Sequence, residues 1–218
     1  VRSTNDSMKL LLENWKKYLT EQQGKTLSVF DFDDTIAITG NFGDAYLSGT
    51  PEEEMTGPES ERFVKRLDSQ ETELAKKTGT VDGIDVALDF SDFNKEVRSP
   101  VGEISSVTNI IRDRLNDSST QVMVMTARGP ESEEAIQNYL NTLKYPIETN
   151  NMIIKGVTGG DKGEWIRSYL GANEGFTAVE FYDDQDKNII NVQRAAEKLP
   201  NVTFSIYKVL HGEIKPVQ

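Results

Sequence analysis

The chain has 218 residues, with 36 Asp and Glu against 24 Lys and Arg for a formal charge of −12, one histidine and no cysteine. That length can bury a sizeable core; with 36% apolar residues the chain is not wholly disordered, and the absence of cysteine excludes disulfides, thiolate zinc sites and cysteine nucleophiles. No apolar run approaches the roughly 20 residues that span a bilayer, and the acidity opposes nonspecific binding to nucleic acid or anionic membranes.

Residues 1–7 precede the first methionine and show no basic-then-apolar leader, so a cytoplasmic location is the expectation. From Met8, the residues Leu11, Leu12, Trp15, Tyr18 and Leu19 recur at helical spacing, with Ser7 as N-cap and Gly24 as stop, so residues 1–24 read as an amphipathic helix. Thr26 to Phe30 is a β-prone run that ends in the acid cluster Asp31-Phe32-Asp33-Asp34-Thr35. The following stretch is strongly acidic: Pro51 to Glu96 carries 13 acidic residues against 6 basic ones, a net of −7. Within it, Glu59 to Lys77 reads as one helix with Phe63, Val64, Leu67 and Leu74 inward, and Val81 to Phe90 as a short strand or hairpin. After Pro100 the pattern becomes regular. Helices at 102–115, 132–143, 162–170 and 186–199 alternate with strands at 121–126, 152–154, 177–182 and 202–207, before a polar tail. Strands alternating with helices in this way imply right-handed crossovers and a parallel sheet covered on both faces. Ligands of such sheets bind beyond the carboxyl ends of the strands, where the polar clusters lie. His211 reads as a surface residue, and Trp15 and Trp165 as packing residues.

Asp31 and Asp33 are two apart, so strand geometry carried through them sets both carboxylates on one side of the strand end. Two such neighbours repel unless a cation lies between them or they differ in protonation. Oxygen-only ligands without cysteine favour Mg²⁺ over zinc or copper. A second acid cluster, Asp183-Asp184-Gln185-Asp186, follows the apolar strand ending in Phe181-Tyr182, and its acids can ligate the same ion or cap the next helix. Thr126 ends another apolar strand; its hydroxyl and the N–H groups of Ala127 and Arg128 can donate to phosphate, and the Arg128 guanidinium suits an anionic substrate. Lys162 opens a helix after Gly159-Gly160-Asp161.

That ordered set resembles the haloacid dehalogenase (HAD)-like superfamily of phosphatases and phosphotransferases. The first motif, a strand followed by Asp-x-Asp-x-Thr, is matched by Val29 to Thr35. The second is matched by the strand ending at Thr126, the third by Lys162, and the fourth by Val179 to Asp184. The resemblance spans residues 26–207. It implies a Rossmann-like, doubly wound parallel sheet with Asp31 as nucleophile, Asp33 as general acid and base, and Thr126 and Lys162 on the phosphoryl oxygens. It also implies Mg²⁺ held by the Asp31 carboxylate, the Asp33 backbone carbonyl and an acid of the fourth motif. The family often has Gly-Asp where this chain has Asp183-Asp184, which makes Asp184 the better direct ligand and Asp183 a supporting or alternative one. Asn188 lies where many members carry a further acid.

Family members select substrates with an inserted cap. Only 35 residues separate Thr126 from Lys162, so the later insertion point is empty, and the chain divides into a core of 25–38 and 100–218 with a small acidic cap at 39–99. An acidic lid disfavours highly anionic substrates unless basic residues such as Lys65 and Arg66 face the site. Phage-type members look similar around Phe90-Ser91-Asp92-Phe93-Asn94 and Phe181 to Asp184. The expectation is a phosphomonoesterase acting on a small phosphorylated substrate. A nucleotide or nucleic-acid end phosphatase is the narrower alternative, disfavoured by the charge, and a receiver domain is disfavoured by the order of the motifs, since its acceptor Asp follows a later strand than its acid pair. A noncatalytic binding protein of the same fold is the remaining alternative.

Overall fold

The computed structural model describes residues 24–39, 43–95, 97 and 101–217. The helix expected from Met8 to Leu19, with Ser7 and Trp15, lies outside them.

Strand β1 (Lys25–Phe30) has Leu27, Ser28, Val29 and Phe30 fully buried, as befits a strand covered on both faces. It pairs in parallel with β8 (Thr120–Thr126) on one side and β10 (Phe176–Asp183) on the other. Outside these lie β9 (Met152–Gly156) beside β8, and β11 (Thr203–Leu210) beside β10. The chain therefore runs outward from β1 through β8 and β9, then crosses back to β10 and β11. This reversal makes the β1–β10 junction the switch point, where the C-terminal strand ends open a crevice.

Two helices cover each face. Helices α3 (Ser105–Leu115) and α4 (Glu133–Thr142) pack Val107, Ile111, Ile136 and Leu140 against Phe30, Val122, Val124 and Tyr182. Helices α5 (Lys162–Ala172) and α6 (Asp186–Glu197) pack Ile166, Ile189 and Val192 against Leu27, Val29, Met123, Met125 and Phe181. The result is a doubly wound α/β sheet. Register also stacks three rings across adjacent strands, Phe30 on Tyr182 (4.6 Å) and Tyr182 on Tyr207 (4.7 Å). Trp165 is half-buried and stacks on Tyr169 at 5.4 Å.

The segment expected as a polar tail is instead the strand β12 (Glu213–Pro216), antiparallel to β11. His211 and Gly212 form the two-residue turn between them, both at positive φ (49° and 83°), as a hairpin of matching twist requires.

Between β1 and α3 the chain builds a second layer. Strands β2 (Ala37–Thr39) and β7 (Val101–Glu103) pair antiparallel as its stem. Beyond them, β3 (Gly43–Leu47), β4 (Phe63–Leu67), β5 (Thr80–Val81) and β6 (Ile84–Asp89) form a sheet in the order β4-β3-β6-β5, backed by α1 (Ser69–Thr78) and followed by the short α2 (Ser91–Lys95). The single helix expected from Glu59 to Lys77 is therefore corrected to a strand and a helix. Asp68 caps α1 by accepting from Glu71 N–H while Glu71 returns the bond, a capping box that fixes where the helix starts. Leu74, expected inward, is 60% exposed. The 81–90 stretch is a hairpin, turned by Asp82 and Gly83 at positive φ. Among the described residues no helix is long and apolar enough to cross a membrane.

Helices α5 and α6 meet at Gly163, where a Cβ would lie 2.2 Å from the Asn191 carbonyl oxygen. Alanine is the better helix former by about 1 kcal/mol, but here the backbone clash outweighs it. Gly163→Ala is expected to destabilise the fold by about 2 kcal/mol, measured as a lower urea midpoint at unchanged m-value.

Candidate active site

Beyond β1 the chain turns back sharply. Asp31 N–H still donates to the Tyr182 carbonyl (2.9 Å), continuing the β1–β10 ladder, and then the Phe32 carbonyl accepts from the N–H groups of Ile36 and Ala37 (2.9 and 3.1 Å). Asp34 takes φ 56° within this loop. The loop leaves the side chains of Asp31 and Asp33 buried yet facing one cavity.

Two buried cations hold those acids. Lys162, at the start of α5, is 1% exposed, and its Nζ donates both to Asp31 and to Asp183 at the end of β10 (2.8 Å). Helix α5 presents it there because Asp161 caps the helix, accepting from Glu164 N–H at 3.0 Å. Asp183 is fixed in turn by Asn188 Nδ2 on both oxygens (3.0 Å each) and by the N–H of Gln185 (2.8 Å). Arg128, just after β8, grips Asp33 with Nε (2.9 Å to Oδ2) and Nη2 (2.6 Å to Oδ1). Thr39 Oγ1 (2.7 Å) and Thr126 Oγ1 (3.3 Å) also donate to Asp33.

The structure brings Asp31, Asp33, Thr126, Arg128, Lys162, Asp183 and Asn188 to one strand-end crevice as two hydrogen-bonded groups, one around Lys162 and one around Arg128, with Ala127 and Asp184 lining the adjoining cavity. It gives some of them unexpected partners: Thr126 and Arg128 contact Asp33, and Arg128 also donates to the backbone carbonyl of Phe93 (2.6 Å). Thr39 and Phe93 belong to the site but were not singled out as site residues. A three-residue stem strand carries no sequence signal, and a carbonyl partner is independent of side-chain type.

Electrostatics set the third acid apart. One carboxylate oxygen each of Asp31, Asp183 and Asp184 lies within 4.8 Å of the others. Burial raises the pKa of Asp31 well above the usual carboxylate range; Lys162 opposes the rise, and Asp183, Asp184 and Asp33 add to it. Asp184 is pushed up to about 7 by burial and by the charges of Asp183 and Asp34. Burial acts to lower the pKa of Lys162, but Asp183 and Asp31 outweigh it and the net shift is upward. Asp184 Oδ1 is buried with no hydrogen-bond partner among the described residues. An orphaned carboxylate oxygen beside two further acids and one ammonium fits a hard divalent cation, which would relieve the surplus negative charge.

The cavity measures about 750 Å³ and lies between the strand ends and the inserted layer. Asp31, Asp33, Asp184, Ala127, Gly159 and Gly160 form its floor; Thr72, Lys76, Lys77, Phe90 and Phe93 form its roof. Lys65 and Arg66, the basic residues considered for this role, pair with Glu71 and Asp44 instead. Three acids of the insert, Glu53, Glu54 and Glu61, line a separate surface depression beside Leu47, whereas Glu73 lines the cavity.

No protein-family model matches the chain, and no curated protein matches it. Similar solved structures include the Legionella pneumophila effector Ceg4 with an N-terminal yeast Hog1p sequence, at 16% identity and a TM-score of 0.47 over 88% of this chain and 90% of that one. Another is the HAD domain of the effector protein Lem4 from Legionella pneumophila, at 14% identity and a TM-score of 0.47 over 88% of this chain and 89% of that one.

The raised pKa of Asp184 has a defined effect on metal-free protein. The folded chain retains a proton that the unfolded chain releases, so this contribution to stability is full below the unfolded pKa near 4 and is lost as pH rises through about 7. In chelator, the urea midpoint should fall between about pH 4 and about pH 7 and level off above it, and Asp184→Asn should flatten that fall. A wild-type midpoint that climbed over this range would contradict the electrostatics.

Proposed function

We propose that the chain is a Mg²⁺-dependent phosphomonoester hydrolase of the HAD-like superfamily. One observation carries the reading: Asp31, Thr126, Lys162 and Asp183-Asp184, from four separate segments, converge at the carboxyl edge of a doubly wound sheet, all of them buried except the half-buried Asp184. Their order along the chain is the order of the four motifs.

Asp31 is the proposed nucleophile. Its free carboxylate oxygen attacks phosphorus as the ester P–O bond breaks, which divides one difficult displacement into two easier ones. Asp33 donates a proton to the departing oxygen. In the second step it takes a proton from the water that attacks the Asp31 phosphoryl group, which releases inorganic phosphate and restores the carboxylate. Lys162, already held between Asp31 and Asp183, offers fixed positive charge to the transferring phosphoryl oxygens, and the backbone N–H groups after Thr126 offer further donors. Asp31, Asp184 and the Asp33 backbone carbonyl would hold Mg²⁺, which would supply positive charge against the carboxylates and the phosphoryl group. Asp183 and Asn188 serve Lys162 rather than the ion. Residues 39–99 form the proposed cap over a core of 25–38 and 100–218, and a cavity of this volume suits a small phosphorylated substrate.

The test is phosphate release from a panel of p-nitrophenyl phosphate, nucleotides and sugar phosphates, with Mg²⁺ and with chelator. Wild type should turn over at least one ester only with Mg²⁺, and Asp31→Asn should lose activity by about a thousandfold or more. Wild type inert on the whole panel, or Asp31→Asn as active as wild type, would sink the proposal.

A further inference from the structure

We infer that Arg128 is a positioning residue that ties the orientation of Asp33 to the docking of the inserted layer. Arg128 is 1% exposed, and a guanidinium buried that deeply must have its charge and donors matched. All three of its nitrogens are engaged with protein. Nε and Nη2 form a fork on the Asp33 carboxylate, which fixes the plane of that group as well as its location. Nη1 donates to the Phe93 carbonyl at 2.6 Å, and the Phe93 ring lies over the guanidinium, 4.2 Å from Cζ to the ring centroid. Phe93 belongs to α2, where the chain leaves the inserted layer.

The other flank of the insert reaches the same carboxylate. Thr39, on the outgoing stem strand β2, donates to Asp33 Oδ1 at 2.7 Å. Asp33 is therefore held from both sides of the insert, directly by Thr39 and through Arg128 by Phe93. If the insert lifted, the guanidinium would lose the Phe93 carbonyl and ring and Asp33 would lose Thr39, leaving the fork braced only by Phe32, 5.7 Å from Cζ to the ring centroid, and freer to shift. An arginine used in this way is not the substrate-anion ligand that its sequence context suggests.

The kinetic consequence rests on the phosphatase reading, in which Asp33 takes a proton from the attacking water; the mechanical coupling does not. With p-nitrophenyl phosphate, Arg128→Lys and Arg128→Gln should lower kcat about 10- to 100-fold, the effect of a misaimed catalytic group, while KM changes less than about threefold. Phosphorylated Asp31 should accumulate in rapid-quench experiments, because a misaimed Asp33 fails to activate the water. Phe93→Ala should have a smaller effect in the same direction, and adding it to Arg128→Gln should cost nothing further. A rise in KM at unchanged kcat would overturn the inference in favour of a substrate ligand, as would independent, multiplying effects of the two substitutions. Thermal unfolding of wild type, Arg128→Lys, Phe93→Ala and the variant carrying both substitutions supplies a second cycle. Non-additive midpoints of Arg128→Lys and Phe93→Ala support the coupling even if wild type hydrolyses nothing, and additive midpoints in an active enzyme refute it. Arg128→Lys keeps the buried charge, so the cycle can be completed if Arg128→Gln fails to fold.

Discussion

A buried ammonium needs matched negative charge, and Lys162 meets that need twice, against Asp31 and Asp183. This double pairing joins three elements at once: the end of β1, the end of β10 and the first turn of α5. It also explains why Asn188 and the Gln185 amide converge on Asp183, since the acid that holds the lysine must itself be held. Arg128 repeats the arrangement on the other side of the Asp31-Phe32-Asp33 turn, with the insert as its second partner. Replacing buried ion pairs by packed apolar groups is often neutral or stabilising. Two such pairs at one strand end therefore make better sense as a constraint on side-chain geometry than as a source of stability.

The charge of the molecule is divided by location. The acids of the strand ends face inward and crowd one another, whereas Glu53, Glu54 and Glu61 of the insert open onto a different surface. The cavity roof carries Lys76 and Lys77 with two phenylalanines, and Lys187 and Lys208 stand at its opposite margin. Two of these lysines are matched, Lys76 by Glu73 at 3.1 Å and Lys208 by Asp186 at 2.6 Å, so the outer wall of the cavity mixes both signs, with four lysines against two acids, within a chain of net charge −12. Long-range repulsion of polyanions and short-range attraction of a small anion are compatible, because solvent screens the former over roughly 10 Å while the latter acts at contact.

The core strands were legible because both of their faces are buried, which leaves an unbroken apolar run such as Val122 to Met125. The acids beyond them were legible because a run that stops abruptly in aspartates has few structural explanations. The insert was harder to read. Phe63, Val64 and Leu67 satisfy helical spacing as well as they satisfy a strand, and only the Asp68 to Glu71 capping box separates the two assignments. The three-residue strands β2 and β7 are too short for any periodicity. Arg128 was identified from sequence, but its partner was not, since the Asp33 fork spans 95 positions and no local pattern encodes a contact at that separation.

Both margins of the large sheet are closed to further pairing. On one side β12 is short, carries Glu213 and Lys215, and ends in Pro216, which has no N–H to offer. On the other, the Glu133 carboxylate accepts the Gly156 N–H at 3.1 Å and contacts Lys155, so a side chain occupies a position on β9 that a neighbouring strand would need. A sheet blunted in this way resists edge-to-edge growth. Among the described residues, a second copy of this chain therefore finds no long open strand at either margin on which to extend the large sheet past the carboxyl ends of its strands.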